Sequence, residues 1–264
     1  CAIRVRWPSG MPDGHRSVYD MDKRGKLWYN TPYYGRLCPE EESGMGKLIV
    51  FEGTDGSGKA TQSKLLCERL AREGVPYQHI NFPRYGKPSA AMVQEYLDGN
   101  LGKHPGDVNA YAASLFYAMD RYASYKQDWG PFYEAGGLVV ADRYTTSNAV
   151  HQASKLLPGE RKNFLCWLFD TEYRLMGLPE PDLVLYLDMP TEITEKMMRQ
   201  REAATGTHAD IHEQDAEYLR RCRENARAVV DECGWTVIRC ARDGEPRSIE
   251  DIAAEVWRRA QGLL

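Results

Sequence analysis

KLIVFEGTDGSGKAT, residues 47–61, is the stretch on which the reading of this chain turns. Leu48, Ile49, Val50 and Phe51 form a short apolar run of the kind that makes a buried strand, and the run feeds directly into Gly53–Lys59, which has the spacing G-x-x-x-x-G-K. That spacing is a phosphate cradle. Gly53, Gly56 and Gly58 let the backbone take positive φ and come close to an anion, so that the N–H groups of Gly53, Thr54, Asp55, Gly56, Ser57, Gly58 and Lys59 can turn toward phosphate oxygens. Lys59 then opens a helix, patterned by Leu65, Leu66 and Leu70, whose N-terminal partial charge adds to the attraction.

One position departs from the pattern. After the lysine the motif ordinarily carries Ser or Thr, whose hydroxyl ligates Mg²⁺, and here Ala60 stands there. Thr61 follows, but one step along a helix turns a side chain by about 100°, so Thr61 is no automatic replacement.

With 264 residues, 42% hydrophobic and 27% charged, the chain can build one substantial core with room for an appendage. No apolar run approaches the roughly 20 residues of a membrane helix, and no signal-peptide pattern opens the sequence, so a cytoplasmic protein with no membrane partner is expected. A net charge of -4 argues against a nucleic-acid partner. The 7 cysteines are scattered and form no C-x-x-C pair, which speaks against zinc and against a disulfide framework.

Residues 1–44 differ from the rest. Trp7, Trp28, Tyr29, Tyr33 and Tyr34 mix with Arg4, Arg6, Lys23, Arg24 and Lys26 among prolines and glycines, without sustained helical periodicity. Three readings stay open: upstream sequence with no fold of its own, a small β-rich appendage, or an aromatic and basic interaction arm. From Met45 onward strands alternate with helices, the habit of an α/β fold with a parallel sheet covered on both faces. Strands are expected at Leu48–Glu52, Tyr77–Phe82, Leu138–Ala141, Leu183–Leu187 and Thr236–Arg239. Helical patterns run near Lys59–Arg72, Ser89–Leu97, Asp107–Tyr125, Ser147–Leu156, Glu160–Met176, Thr191–Arg201, Glu213–Cys233 and Ile249–Gln261.

Ligands of such sheets bind beyond the carboxyl ends of the strands. The phosphate cradle follows the first strand, Pro83-Arg84 the second, and Asp142-Arg143-Tyr144 the third, which gathers one acid and two arginines on the cradle's side. FEGTDGSGKATQ, NFPR, LFYAMDR and ADRYTTSNAVHQASKL, followed by Asp210 and Glu213 as D-x-x-E, occur in this order. Together they resemble the thymidylate kinase family, from Met45 to the C-terminus. The resemblance implies a P-loop NTPase of nucleoside monophosphate kinase type, with a five-stranded parallel sheet flanked by helices, and a homodimer. It also implies transfer of a phosphoryl group from ATP to dTMP, with Mg²⁺.

Roles follow by the same resemblance. The cradle from Gly53 to Thr61, Ala60 included, would hold ATP through Lys59, while Asp55 would contact the sugar of the acceptor unless it serves only as a turn residue. Arg84 would hold the acceptor's monophosphate, a task suited to a planar bidentate donor. Asp142 would hold the metal directly or through water, and Arg143 would bridge the reacting phosphates. Tyr117 and Arg121, four apart on one helix face, would stack on thymine and reach a base carbonyl, with Phe116 as the alternative stacking ring. Aromatics at that spacing also describe an ordinary core face. Asn148, His151 and Gln152 would approach the acceptor's base or sugar. His151 stands where many relatives carry Tyr, which leaves discrimination against ribonucleotides open. Arg199 and Arg201 precede a small, polar stretch that reads as a lid around residues 199–212, and the cradle itself contains no arginine. The resemblance is to the bacterial variety of the family, in which the catalytic arginine sits on the lid. Two rivals are a kinase of another nucleoside monophosphate or of a deoxynucleoside, and a nucleotide-binding regulator weakened by Ala60.

Overall fold

The computed structural model describes residues 45–194, 196–197, 210–212 and 215–264, together with the backbone of 18–21 and 27–30. Cys1–Ser43 and Gly44–Leu264 are separate units. In the first, β1 (Val18–Met21) and β2 (Leu27–Asn30) pair antiparallel, with Val18 opposite Asn30 and Met21 opposite Leu27.

The second unit is built on β3 (Lys47–Glu52), β4 (Tyr77–Asn81), β5 (Leu138–Asp142), β6 (Leu183–Asp188) and β7 (Thr236–Arg239). They form one sheet in the order β4-β5-β3-β6-β7 with every pairing parallel. β3 is central, which explains its unbroken apolar run: Ile49 and Phe51 pack with Leu66, Leu70 and Val256 on one face, and Leu48 and Val50 with Trp129, Tyr133 and Tyr144 on the other. From β3 the chain first builds toward the β4 edge and later crosses to β6 on the other side. The crevice beyond the carboxyl end of β3 is therefore the switch point where such sheets take ligands.

Helices cover both faces: α1 (Lys59–Arg72), α2 (Ala91–Leu97), α3 (Ala110–Ser124), α4 (Gly130–Glu134), α5 (Thr145–His151), α6 (Arg161–Phe169), α7 (Ala216–Cys233) and α8 (Ile249–Ala260). Local chemistry sets their ends. Asn109 accepts the Ala112 N–H at 2.9 Å, Asp215 that of Tyr218 at 2.8 Å and Ser248 that of Asp251 at 3.1 Å, while Gly234 closes α7 at φ 66°.

The structure departs from the sequence reading chiefly in three places, and the helix expected over Thr191–Arg201 lies in part outside the described residues. The helix expected over Asp107–Tyr125 starts at Ala110 and passes, through a π-helical turn at Tyr125–Trp129, into α4, whose Pro131 sits in the first turn where no N–H is needed. The helix expected over Glu160–Met176 leaves α-geometry after Phe169, and Asp170–Leu175 is π-helical. A short hairpin of β8 (Ala241–Arg242) and β9 (Glu245–Pro246) follows β7, where the reading has no strand.

Candidate active site

Gly53, Gly56 and Gly58 take φ of 152°, 76° and 92°. Gly53 is fixed by space as well as by φ, because a Cβ there would stand 2.6 Å from Ser57 Oγ and 2.9 Å from the Leu187 carbonyl. The Ser57 hydroxyl is buried with no hydrogen-bond partner among the described residues. Lys59, the first residue of α1, is buried, and its Nζ donates to the carbonyls of Gly53 and Thr54 at 2.9 Å each. Burial, joined by the charge of Arg143, pulls its pKa below the usual ammonium value against Asp55, Asp142 and Glu52. Thr54 is buried beside it, whereas Ala60 and Thr61 are exposed on α1.

Arg143 ties this loop to the next elements. It has φ 67°, a left-handed conformation unusual for a residue with a side chain, and its N–H donates to the Phe51 carbonyl at 3.0 Å. Its guanidinium forms an ion pair with Asp55, lies 3.7 Å from Glu52, and donates to Ser147 Oγ and His151 Nε2 at 3.2 Å each. Burial alone would lower the Arg143 pKa, but Asp55, Glu52 and Asp142 outweigh it and raise it. Burial alone would raise Asp55, but Arg143, followed by Lys59, His151 and His212, holds that carboxyl well below the usual range. Glu52, fully buried at the end of β3, accepts the Gly53 N–H at 2.9 Å and the hydroxyls of Thr146 at 2.8 Å and Ser147 at 2.7 Å. The loop, β5 and α5 thus meet on one carboxylate and one guanidinium.

Arg84 sits just past β4, after the cis Phe82–Pro83 bond. Its Nε donates to Asp120 Oδ1 at 3.0 Å, its backbone N–H to Asp120 Oδ2 at 2.7 Å and its Nη2 to Ser89 Oγ at 2.8 Å, while Nη1 pairs with Asp128. On α3, Phe116 and Tyr117 pack against Val93, Tyr96 and Leu97. Arg121 points into the protein and is 1% exposed, its Nε and Nη2 each 2.6 Å from the two oxygens of the fully buried Glu172. Asn148 shares that carboxylate at 3.4 Å and donates to the Ser114 carbonyl at 3.1 Å. Gln152 is buried, its Oε1 without a hydrogen-bond partner among the described residues.

Among the residues the sequence singles out, the structure brings Asp55, Lys59, Arg143 and His151 together, and separately joins Arg121 to Asn148. Arg84 stands apart from Arg121, oriented by Asp120. Arg199, Arg201 and Glu213 lie outside the described residues. Glu52, Ser89, Asp120, Asp128, Thr146, Ser147, Glu172 and His212 were not anticipated.

His212 packs beside His151. It is buried, with Nε2 2.7 Å from the Tyr96 hydroxyl, its ring stacked on His151 at 6.2 Å and tilted on Tyr218 at 4.8 Å. Because Arg143 can only donate, His151 Nε2 accepts, and its proton resides on Nδ1. Burial, then Arg143, lowers the His151 pKa well below the usual value. Burial and Lys155, opposed by Asp55, bring His212 down to about 3. Both rings therefore fold as neutral groups, and their contribution to stability is full above the unfolded value near 6.5 and lost as pH falls below it, for His212 down to about 3. Thermal unfolding followed between pH 7.5 and 4 should show a falling Tm, and His212→Gln should flatten that slope; an unchanged slope would contradict neutral burial of this ring.

Asp142, at the tip of β5, is half-buried beside the loop, and among the described residues no three His, Cys, Asp or Glu side chains gather as a metal cage. One carboxylate fits Mg²⁺, which is commonly held by one or two carboxylates, substrate phosphates and waters.

The family model for thymidylate kinase matches residues 51–252, a span that includes every side chain placed in this site. A thymidylate kinase of Pelotomaculum thermopropionicum is 35% identical over 188 residues, 70% of this chain and 80% of that protein. One from Mycobacterium tuberculosis (strain ATCC 25618 / H37Rv) is 32% identical over 176 residues, 66% of this chain and 81% of its own length. The solved structure of thymidylate kinase from Candida albicans shares the fold with a TM-score of 0.62 at 20% identity, covering 83% of this chain and 93% of that one. A loop, a strand order and a run of matched sequence all lead to one place: the chain belongs to the thymidylate kinase family.

Proposed function

We propose that the site transfers the terminal phosphoryl group of ATP to dTMP, giving dTDP and ADP, with Lys59 and the loop N–H groups on the donor and Arg84 on the acceptor. The observation that carries this reading is the position of Arg143, whose guanidinium touches Asp55 of the donor loop and Ser147 and His151 of α5. A cation held there can bridge charge on two phosphates as they approach. Phosphoryl transfer needs little covalent chemistry from the protein, so alignment and neutralisation by such fixed cations supply most of the rate. Tyr117 and Arg121 are assigned to the thymine, Asp55, Asn148, His151 and Gln152 to the acceptor's sugar and base, and Arg199 and Arg201 to the transferring phosphoryl.

Asp142 is the residue we assign to Mg²⁺, which when bound neutralises phosphate charge. Ala60 contributes no ligand. Ala60→Ser should leave Mg²⁺ dependence unchanged or lower the Mg²⁺ concentration at half-maximal rate, and a higher requirement would contradict this account of the site.

We further place the protein in the cytoplasm as a homodimer. Among the described residues no helix is long and apolar enough to cross a membrane, and the described cysteines are all free. Tyr111, Leu115 and Met119, four apart on α3, are exposed and offer an apolar stripe to a second copy. The test of function is ADP release coupled to a chromogenic reaction, with ATP, Mg²⁺ and a panel of nucleosides and monophosphates. dTMP should be the preferred acceptor, and preference for an unphosphorylated nucleoside would remove the role of Arg84.

A further inference from the structure

Glu172 stands outside the strand-tip loops, in the π-helical segment after α6, yet it is the junction of the two helices that carry the acceptor residues. Its fully buried carboxylate takes both arms of Arg121 from α3, each at 2.6 Å, the hydroxyl of Thr145 at the start of α5 at 2.7 Å, and the Asn148 amide one turn later at 3.4 Å. Arg121 follows Asp120, which orients Arg84, and Asn148 follows Ser147, which holds Arg143. A buried carboxylate with this many donors is rigid, since each lost bond would leave a polar group unpaired away from water.

The fork has a chemical consequence. Glu172 takes Nε–H and one Nη2–H, and the Tyr144 carbonyl lies 3.4 Å from Nη1. An arginine has five N–H donors and no acceptor, so what remains of Arg121 can only donate. Its orientation being set by the bidentate pair, the group suits a base carbonyl and offers nothing to a base amino group.

We infer that Glu172 is a positioning residue for acceptor selectivity: acting through Arg121 and Asn148, it makes the site favour a pyrimidine monophosphate with a carbonyl at ring position 4 over one with an amino group there. This rests on the assignment of dTMP to this side of the sheet. Loss of a buried hydrogen-bonding match ordinarily costs far more in discrimination than loss of apolar contact, which is why the effect should appear as selectivity.

The test compares kcat/KM for dTMP and dCMP, and KM for ATP, in the wild type, Glu172→Asp and Glu172→Gln. Both variants should narrow the dTMP-to-dCMP ratio by tenfold or more and raise KM for dTMP, with KM for ATP within twofold of wild type. A residue that merely supports the fold would depress both acceptors equally, and that result, or an unchanged ratio, overturns the inference. Thr145→Val removes one neutral donor and keeps the ion pair, so it should fold even if the Glu172 variants do not, and it should narrow the ratio two- to threefold; no change there overturns the inference equally. A wild type inactive on dTMP but active on another acceptor defeats the functional assignment itself, a distinct outcome.

Discussion

Arg143→Met should lower kcat by three orders of magnitude or more, about 4 kcal/mol of transition-state stabilisation, while the protein remains folded. The size follows from placement: one guanidinium contacts Asp55, Ser147 and His151 and approaches Glu52, so its removal takes away a bridging charge and the alignment of the donor loop with α5. The fold should survive because Glu52 keeps its bonds from Gly53, Thr146 and Ser147, and Asp55 is partly exposed to water. Arg143→Lys keeps a charge but loses the planar fork, and should recover only part of the rate. Steady-state kinetics with both substrates saturating measure this, and a kcat within tenfold of wild type for Arg143→Met would remove Arg143 from the chemistry.

Arg84→Ala should raise KM for dTMP about 100-fold and leave KM for ATP within twofold. A charge-assisted hydrogen-bonded contact is worth about 1.5–3 kcal/mol, or roughly 10- to 150-fold in affinity. The substitution also strips the buried Asp120 of its cation, so a lower Tm is expected, moderated by the Ser89 hydroxyl at 2.6 Å that the carboxylate retains. Asp128 supplies a control of opposite sign. It is an exposed carboxylate paired with the same guanidinium and competes with any phosphate for it. Asp128→Asn should therefore lower KM for dTMP a few-fold, by roughly the worth of an exposed ion pair. Equal effects of Arg84→Ala on both substrates would show that the arginine supports the fold and does not grip the acceptor.

The sheet was legible because its physics is local. A central parallel strand must be apolar on both faces, and Leu48–Phe51 says so; each expected strand ends within one residue of its observed limits. The phosphate loop was equally readable, since its glycines encode backbone angles directly. What escaped notice are the partners that aim the site. Asp120 sits between Tyr117 and Arg121 in the sequence, but only the fold reveals that its carboxylate turns back to Arg84. Glu172 carried a usable signal: four residues past Leu168 it falls on the apolar stripe of Phe164, Leu165 and Leu168, where a charge requires a buried partner. That signal shows the burial and not the partner, because Arg121 lies 51 residues away on another helix. The base contact of Arg121 is what the family resemblance implies, and its spacing to Tyr117 does not show that Glu172 takes two of its donors.

The two ends of the phosphate loop set opposite tolerances for a side chain. At Gly53 the wall formed by Ser57 and the Leu187 carbonyl leaves no room for even one methyl group, so any larger residue there would have to displace the loop, whatever the substrate. Position 60, exposed on α1, places no such demand on its occupant, and an alanine is compatible with a bound metal wherever the nucleotide brings enough of its own ligands to it.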